Sequence, residues 1–222
     1  MIGSRSAERR EEKPISYMDS GRTLWLATEQ MSGTDGAENV RALVVDDEQE
    51  VADAYALRLR GFCEVETAYG GQEALSIIED SPIDIVLLDR HMPCMSGDDV
   101  LSELDERGFY GRVVMVTAVD PGVEVLHMPF DDYLCKPVER EDVRAVVDQQ
   151  RQILAYETLG EFFSAEAKHA VLEAEMSPEM RREHDGYAEV EEQAEQLERR
   201  ARRLLDDDNI LDQFVQIERE DF

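Results

Sequence analysis

The sequence predicts an α/β fold: a doubly wound five-stranded parallel sheet over residues 39–150, followed by an all-α helical hairpin or coiled-coil domain over 151–222. Three observations predict it. Short, almost uninterrupted apolar runs alternate with amphipathic helical stretches, the pattern of parallel strands covered on both faces. Several of those runs end on a residue capable of chemistry: Asp46, Asp89 and Thr117. From Tyr187 onward the apolar spacing settles at three and four, through Val190, Ala194, Leu197, Ala201 and Leu204 and then Leu211 and Val215.

The elements follow in order. Residues 1–38 read as a disordered tail, with a charge run from Glu8 to Lys13 and a Ser/Gly/Thr stretch from Ser32 to Gly36. Leu24, Trp25 and Leu26 interrupt its polarity; Trp25 is a docking anchor or belongs to a mis-assigned start, with Met18 and Met31 as alternative first residues. Ala42 to Val45 is a first strand, running into Asp46-Asp47-Glu48. A helix follows with Val51, Ala54, Tyr55 and Leu59 on one face, stopped by Gly61. Cys63 to Thr67 is a second strand. Gly70-Gly71 opens a helix carrying Ala74, Leu75 and Ile78, and Ser81-Pro82 ends it. Ile83 to Leu88 is a third strand of the fully buried type. A loop from Met92 to Gly97 leads to a helix with Val100, Leu101 and Leu104. Val113 to Val116 and Asp132 to Cys135 are the fourth and fifth strands, and Lys136-Pro137 opens a helix bearing Val143, Val146 and Val147. Ser164 and Ser177-Pro178-Glu179 read as later helix starts. The heptad stripe packs within its own chain as a hairpin or joins two chains as a homodimer.

Composition bounds the function. The chain has 222 residues, 52 acidic against 23 basic, and a formal net charge of −29. Only Lys13, Lys136 and Lys168 are lysines. The excess is spread along the whole chain, the mark of a surface solvated at high salt; recognition of a basic partner is the competing explanation. Either way, a large phosphate-binding surface for DNA is disfavoured. Arg199, Arg200, Arg202 and Arg203 form a local basic cluster among acids and read as a solvated face, with a nucleic-acid contact as the competing reading. Cys63, Cys94 and Cys135 form no CxxC pair and read as reduced structural thiols of a cytoplasmic protein. The histidines lack metal-ligand spacing, and no apolar run reaches membrane-spanning length.

In a doubly wound sheet the ligand site lies at the carboxyl ends of the strands. That rule selects Asp46, Asp47, Asp89, Thr117 and Lys136. Carboxylates that close repel by about 1 kcal/mol per pair even in bulk water, so the cluster needs a cation. An all-oxygen ligand set with few protein donors suits Mg²⁺. A carboxylate nucleophile, a divalent cation, a lysine and a hydroxyl are the parts needed for phosphoryl transfer onto a carboxylate.

The strings LVVDDE, IVLLDRHMPCMSG, VVMVTA and DDYLCKP resemble the receiver domains of response regulators in two-component signalling, in the family's order and over about 110 residues, half the chain. The resemblance implies the flavodoxin-like topology and makes Asp89 the phospho-acceptor, served by a sensor histidine kinase. It implies that Asp46, Asp47 and Asp89 with the backbone carbonyl of His91 hold Mg²⁺, Asp47 as a direct ligand. It implies that Lys136 and Thr117 contact the phosphoryl group, that Ala118 leaves access to it, and that Thr117 and Tyr133 form a switch pair. Pro137 is implied to follow a cis bond. Between Thr117 and Lys136 the chain is shorter than in the family, and Met128-Pro129-Phe130 replaces its Gly-Ala, so the segment is expected to be a short or irregular helix. Residues 151–222 resemble the HalX domain that follows receivers in haloarchaeal regulators, through the helical layout and Ala170-Val171-Leu172-Glu173. Such a chain turns over no external substrate. Its output passes to a downstream protein target, or alternatively to DNA or the transcription machinery. A haloacid-dehalogenase-like phosphatase would need DxD after the first strand, which is not there.

Overall fold

The computed structural model describes residues 40–118 and 122–205, all within one compact unit. Five parallel strands, β1 (Arg41–Val45), β2 (Glu64–Ala68), β3 (Ile85–Leu88), β4 (Arg112–Thr117) and β5 (Asp132–Cys135), lie in the order β2-β1-β3-β4-β5. The expected doubly wound sheet is therefore present. The inner strands β1, β3 and β4 are nearly all apolar because both faces are covered, whereas the edge strand β2 exposes Glu64 and Glu66. Ala42, Val44, Ile85, Leu87, Val114 and Val116 point into one core, with α1 (Gln49–Leu59) and α4 (Arg140–Glu175). Leu43, Val45, Val86, Leu88, Val113 and Met115 point into the other, with α2 (Gly71–Asp80) and α3 (Gly97–Glu106). The alternation is the period of two that a strand imposes on its side chains.

Local chemistry sets several boundaries. The Ser96 hydroxyl accepts from the Asp99 N–H at 3.2 Å, and the Asp99 carboxylate accepts from the Ser96 N–H at 2.9 Å, a reciprocal cap for α3. Glu139 and Asp142 close the same arrangement at α4. Gly61 and Gly108, just past α1 and α3, sit at φ +71° and +65°, the left-handed conformation that ends helices. Between β4 and β5 the described chain forms only a 3₁₀ turn, Val123–His127, in keeping with the shortened segment.

Some expectations need correction. Ala52 rather than Ala54 is the buried alanine of α1. β2 begins at Glu64, and Ile83 and Asp84 are buried but precede β3. Ser164 starts no helix: α4 runs unbroken for 36 residues, roughly 54 Å at 1.5 Å per residue, across position 150. Ser177 is a true cap, accepting from the Met180 N–H at 3.4 Å, with Pro178 at the first position of α5 (Pro178–Glu183).

α6 (Asp185–Leu204) folds back on α4 within the chain, so the heptad stripe seals a hairpin. Tyr187 meets His169 near the tip, and Ala201 packs with Leu159 and Phe162 nearer the sheet, which makes the helices antiparallel. The base of the hairpin enters the first core: Leu204 clusters with Leu154, Ala155 and receiver-side residues such as Val40 and Val114. Arg151, buried in α4, donates to the Leu204 carbonyl at 2.7 Å. The arginine cluster splits. Arg199 and Arg202 pair with Glu195 and Glu198 one turn back, as a solvated face would. Arg200 and Arg203 face Asp84 at the amino end of β3, contrary to the solvated reading, because an almost fully buried carboxylate there demands counter-charge. Among the described residues no helix is long and apolar enough to cross a membrane. The tail expected over residues 1–38, and Leu211 and Val215, lie outside the described residues.

Candidate functional site

The carboxyl ends of β1, β3 and β4 and the residue after β5 converge. Asp46 and Asp89, 2% and 8% exposed, follow β1 and β3. Lys136 follows β5, and its backbone N–H donates to the Thr117 carbonyl at 2.7 Å, which fixes where its side chain departs. The Lys136 Nζ donates to Asp46 Oδ2 and to Asp89 Oδ1, both at 2.7 Å. Residues 46, 89 and 136 thus meet in one pocket. The remaining oxygens are held by the backbone: Asp46 Oδ1 accepts from the Glu48 N–H at 2.9 Å, and Asp89 Oδ2 from the His91 N–H at 2.7 Å.

Burial works against the charge on Lys136, but the hydrogen bonds to Asp46 and Asp89, and their charge, outweigh it and hold its pKa above the ordinary lysine value. Tyr55 on α1 is buried and its phenol is pushed up by burial, partly offset by the nearby Lys136 and Arg58 charges.

Asp47 is half-buried beside Asp46. Thr117 is fully buried at the end of β4, and Ala118 beyond it is exposed. Tyr133 lies on β5 opposite Met115, its ring 5.7 Å from that of Phe130. The Lys136–Pro137 bond is cis. The thiols are all free, but only Cys63 is interior; Cys94 and Cys135 are exposed, so the structural-thiol reading is right for one of three.

Gly97 was missed as a site residue. A Cβ there would come within 2.2 Å of the Asp89 carbonyl oxygen and 2.9 Å of the Arg90 Cα, so only glycine lets α3 start against the backbone of Asp89. The signal was its place in the Met-Pro loop, eight residues after Asp89.

Among the described residues no three His, Cys, Asp or Glu side chains form a ready-made metal cage. The donor chemistry nevertheless suits Mg²⁺. Asp46 and Asp89 set two carboxylates against one ammonium, and Asp47 follows Asp46 directly in the chain. They are all oxygen donors, and an ion that keeps several of its waters asks for few protein ligands.

Two family models match the chain. The family model described as the response regulator receiver domain matches residues 42–148, and the HalX domain matches 152–217. A Haloferax volcanii protein named as a transcriptional regulator is 45% identical over 148 residues, 65% of this chain and 25% of its own length. The transcriptional regulatory protein CutR of Streptomyces coelicolor is 45% identical over 102 residues, 44% of this chain and 47% of its own. The chain thus spans between a quarter and a half of these relatives. Among solved structures, the signal receiver domain of a Vibrio parahaemolyticus protein named as a Luxo repressor superposes with a TM-score of 0.52 at 25% identity, covering 55% of this chain and 97% of that one. The chain carries a response regulator receiver domain followed by a HalX domain.

Proposed function

We propose that the chain is the response regulator of a two-component phosphorelay, accepting a phosphoryl group on Asp89 from a sensor histidine kinase and relaying that state through its helical hairpin by protein–protein contact. The observation that carries this reading is the Lys136 ammonium held 2.7 Å from both Asp46 and Asp89. An Asp89 carboxylate oxygen attacks the phosphorus of a phosphohistidine. The P–O bond forms as the P–N bond breaks, and the released imidazole keeps the electron pair and takes a proton from solvent. Lys136 orients the attacking carboxylate and meets the phosphoryl oxygens; Thr117 supplies a hydroxyl at the adjoining strand end. Mg²⁺, held by Asp46, Asp47, Asp89 and the His91 carbonyl, would neutralise charge on the phosphoryl oxygens.

Switching a two-state protein from 1:99 to 99:1 needs about 5.5 kcal/mol of differential interaction. Charge-assisted hydrogen bonds at roughly 1.5–3 kcal/mol each bring that within reach of Lys136 and Thr117 together with the cation. The transcriptional alternative, with the C-terminal helices on DNA, gains no support from the arginine cluster. Each of its arginines is engaged with an acid of the same chain. A cytoplasmic location belongs to the same proposal. The test is phosphoryl uptake from acetyl phosphate or a phosphorylated kinase in Mg²⁺: the unaltered chain takes up one phosphoryl group and Asp89→Asn none. Undiminished uptake by Asp89→Asn refutes the assignment.

A further inference from the structure

Gln150 is 1% exposed, deep in α4. A buried primary amide must satisfy both of its ends or cost stability. Its Oε1 accepts from Arg112 Nε at 3.0 Å, and its Nε2 donates to Asp132 Oδ2 at 2.9 Å. The partners fix the amide's orientation, since a guanidinium only donates and an ionised carboxylate only accepts. The other Asp132 oxygen accepts from the Tyr133 backbone N–H at 2.8 Å. Arg112 extends the chain of contacts to Asp131 at 3.2 Å and to the Glu157 carboxylate at 3.0 Å.

The placement of these residues gives the network its meaning. Arg112 begins β4, whose last residue is Thr117; Asp132 begins β5, which carries Tyr133 and delivers Lys136. Gln150 therefore clasps the amino ends of the two strands whose far ends enter the acceptor pocket. Glu157 lies in the segment that matches the HalX domain, so the same clasp reaches the helical hairpin. We propose that Gln150 is a positioning residue that ties Tyr133 and the β4–β5 pair to the hairpin, so that occupancy at Asp89 and the state of the hairpin share one equilibrium. The proposal rests on the acceptor reading above. Coupling of this kind is reciprocal: altering the clasp must alter ligand affinity at Asp89.

The test is beryllofluoride binding in Mg²⁺ by the full chain, with unfolding by urea measured in parallel. Gln150→Glu sets a carboxylate against Asp132 while keeping an acceptor for Arg112. The combined Gln150→Glu, Asp132→Asn exchange reverses donor and acceptor, keeps the net charge, and leaves an oxygen for the Tyr133 N–H. Gln150→Glu is expected to change the affinity about tenfold, within the usual range of coupling between sites, and the exchange to restore most of it. Glu157→Gln, at a site half exposed to solvent, is expected to move the affinity in the same direction with little change in stability. Folded Gln150→Glu with unchanged affinity overturns the proposal, as does an exchange that folds without restoring binding. If Gln150→Glu does not fold, unchanged affinity in Glu157→Gln overturns it. An unaltered chain that shows no Asp89-dependent binding sinks the acceptor reading first, whereas normal binding there with an inert clasp sinks this inference alone.

Discussion

Replacing Arg203 with alanine should loosen the hairpin from the receiver sheet. Asp84 is 1% exposed and accepts from Arg203 Nη2 at 2.9 Å, from Arg203 Nη1, and from the Arg41 backbone N–H at 3.0 Å. Breaking a buried pair by removing one partner costs about 3–5 kcal/mol, because the remaining charge is stranded. Three features reduce that here. The Arg41 N–H stays, Arg200 Nη2 stands 3.8 Å away, and the Arg203 side chain is itself 26% exposed, so water can follow. The expected loss is about 2–3 kcal/mol, on the scale of one or two charge-assisted hydrogen bonds. For a chain of this size it would lower the melting temperature by roughly 5–10 °C. The assay is urea denaturation at fixed salt, with Arg199→Ala as the control. Among the described residues Arg199 pairs with Glu195 across one exposed helical turn, a contact worth about 0.5 kcal/mol or less. A double-mutant cycle with Asp84→Asn then isolates the pair. If Arg203→Ala costs no more than Arg199→Ala, Asp84 does not hold the hairpin and the reasoning fails.

Other outcomes follow from the same geometry. Gly97→Ala should slow phosphoryl uptake and cost about 1–3 kcal/mol, since its Cβ would force the Asp89 backbone aside; normal kinetics and stability would contradict this. In the native chain at pH 8, a thiol reagent should modify Cys94 and Cys135 quickly and Cys63 only on unfolding, as burial pushes the Cys63 thiol up to about 12. That raised folded value against an ordinary value near 9 also means stability is present below pH 9 and falls as pH climbs toward 12; Cys63→Ser should flatten that limb of the curve. Lys136 adds to the same alkaline loss: its folded pKa is raised, so its ion pairs contribute fully below its ordinary value and vanish as pH rises past the folded one.

The sheet and pocket were legible because their rules are local or topological. Buried apolar runs ending in Asp46 and Asp89 announced parallel strands, and parallel strands bring their carboxyl ends together whatever the sequence between them. Lys136 could be placed by the same argument although 90 residues separate it from Asp46. The contacts between receiver and hairpin obey no such rule. Asp84 fell within the stretch read as a buried strand, and its partner Arg203, 119 residues away, stood in a cluster read as solvated. Nothing in the sequence singles out Gln150, since an amide declares itself only once both of its neighbours are known. The length of α4 was hidden differently: Ser164 resembles a cap, but propensity at one exposed residue yields to a helix fastened at both ends, by Val143 to Val147 on the sheet and by Leu159 and Phe162 on α6.

Asp89 is proposed to be the residue that takes the phosphoryl group. Loading the full chain from a phosphodonor in Mg²⁺, reducing the acyl phosphate with borohydride and sequencing the peptides by mass spectrometry reads this directly, because reduction leaves a homoserine where the aspartyl phosphate stood. Homoserine is expected at position 89 alone. Homoserine at another aspartate, or phosphate incorporated with position 89 intact, would contradict it.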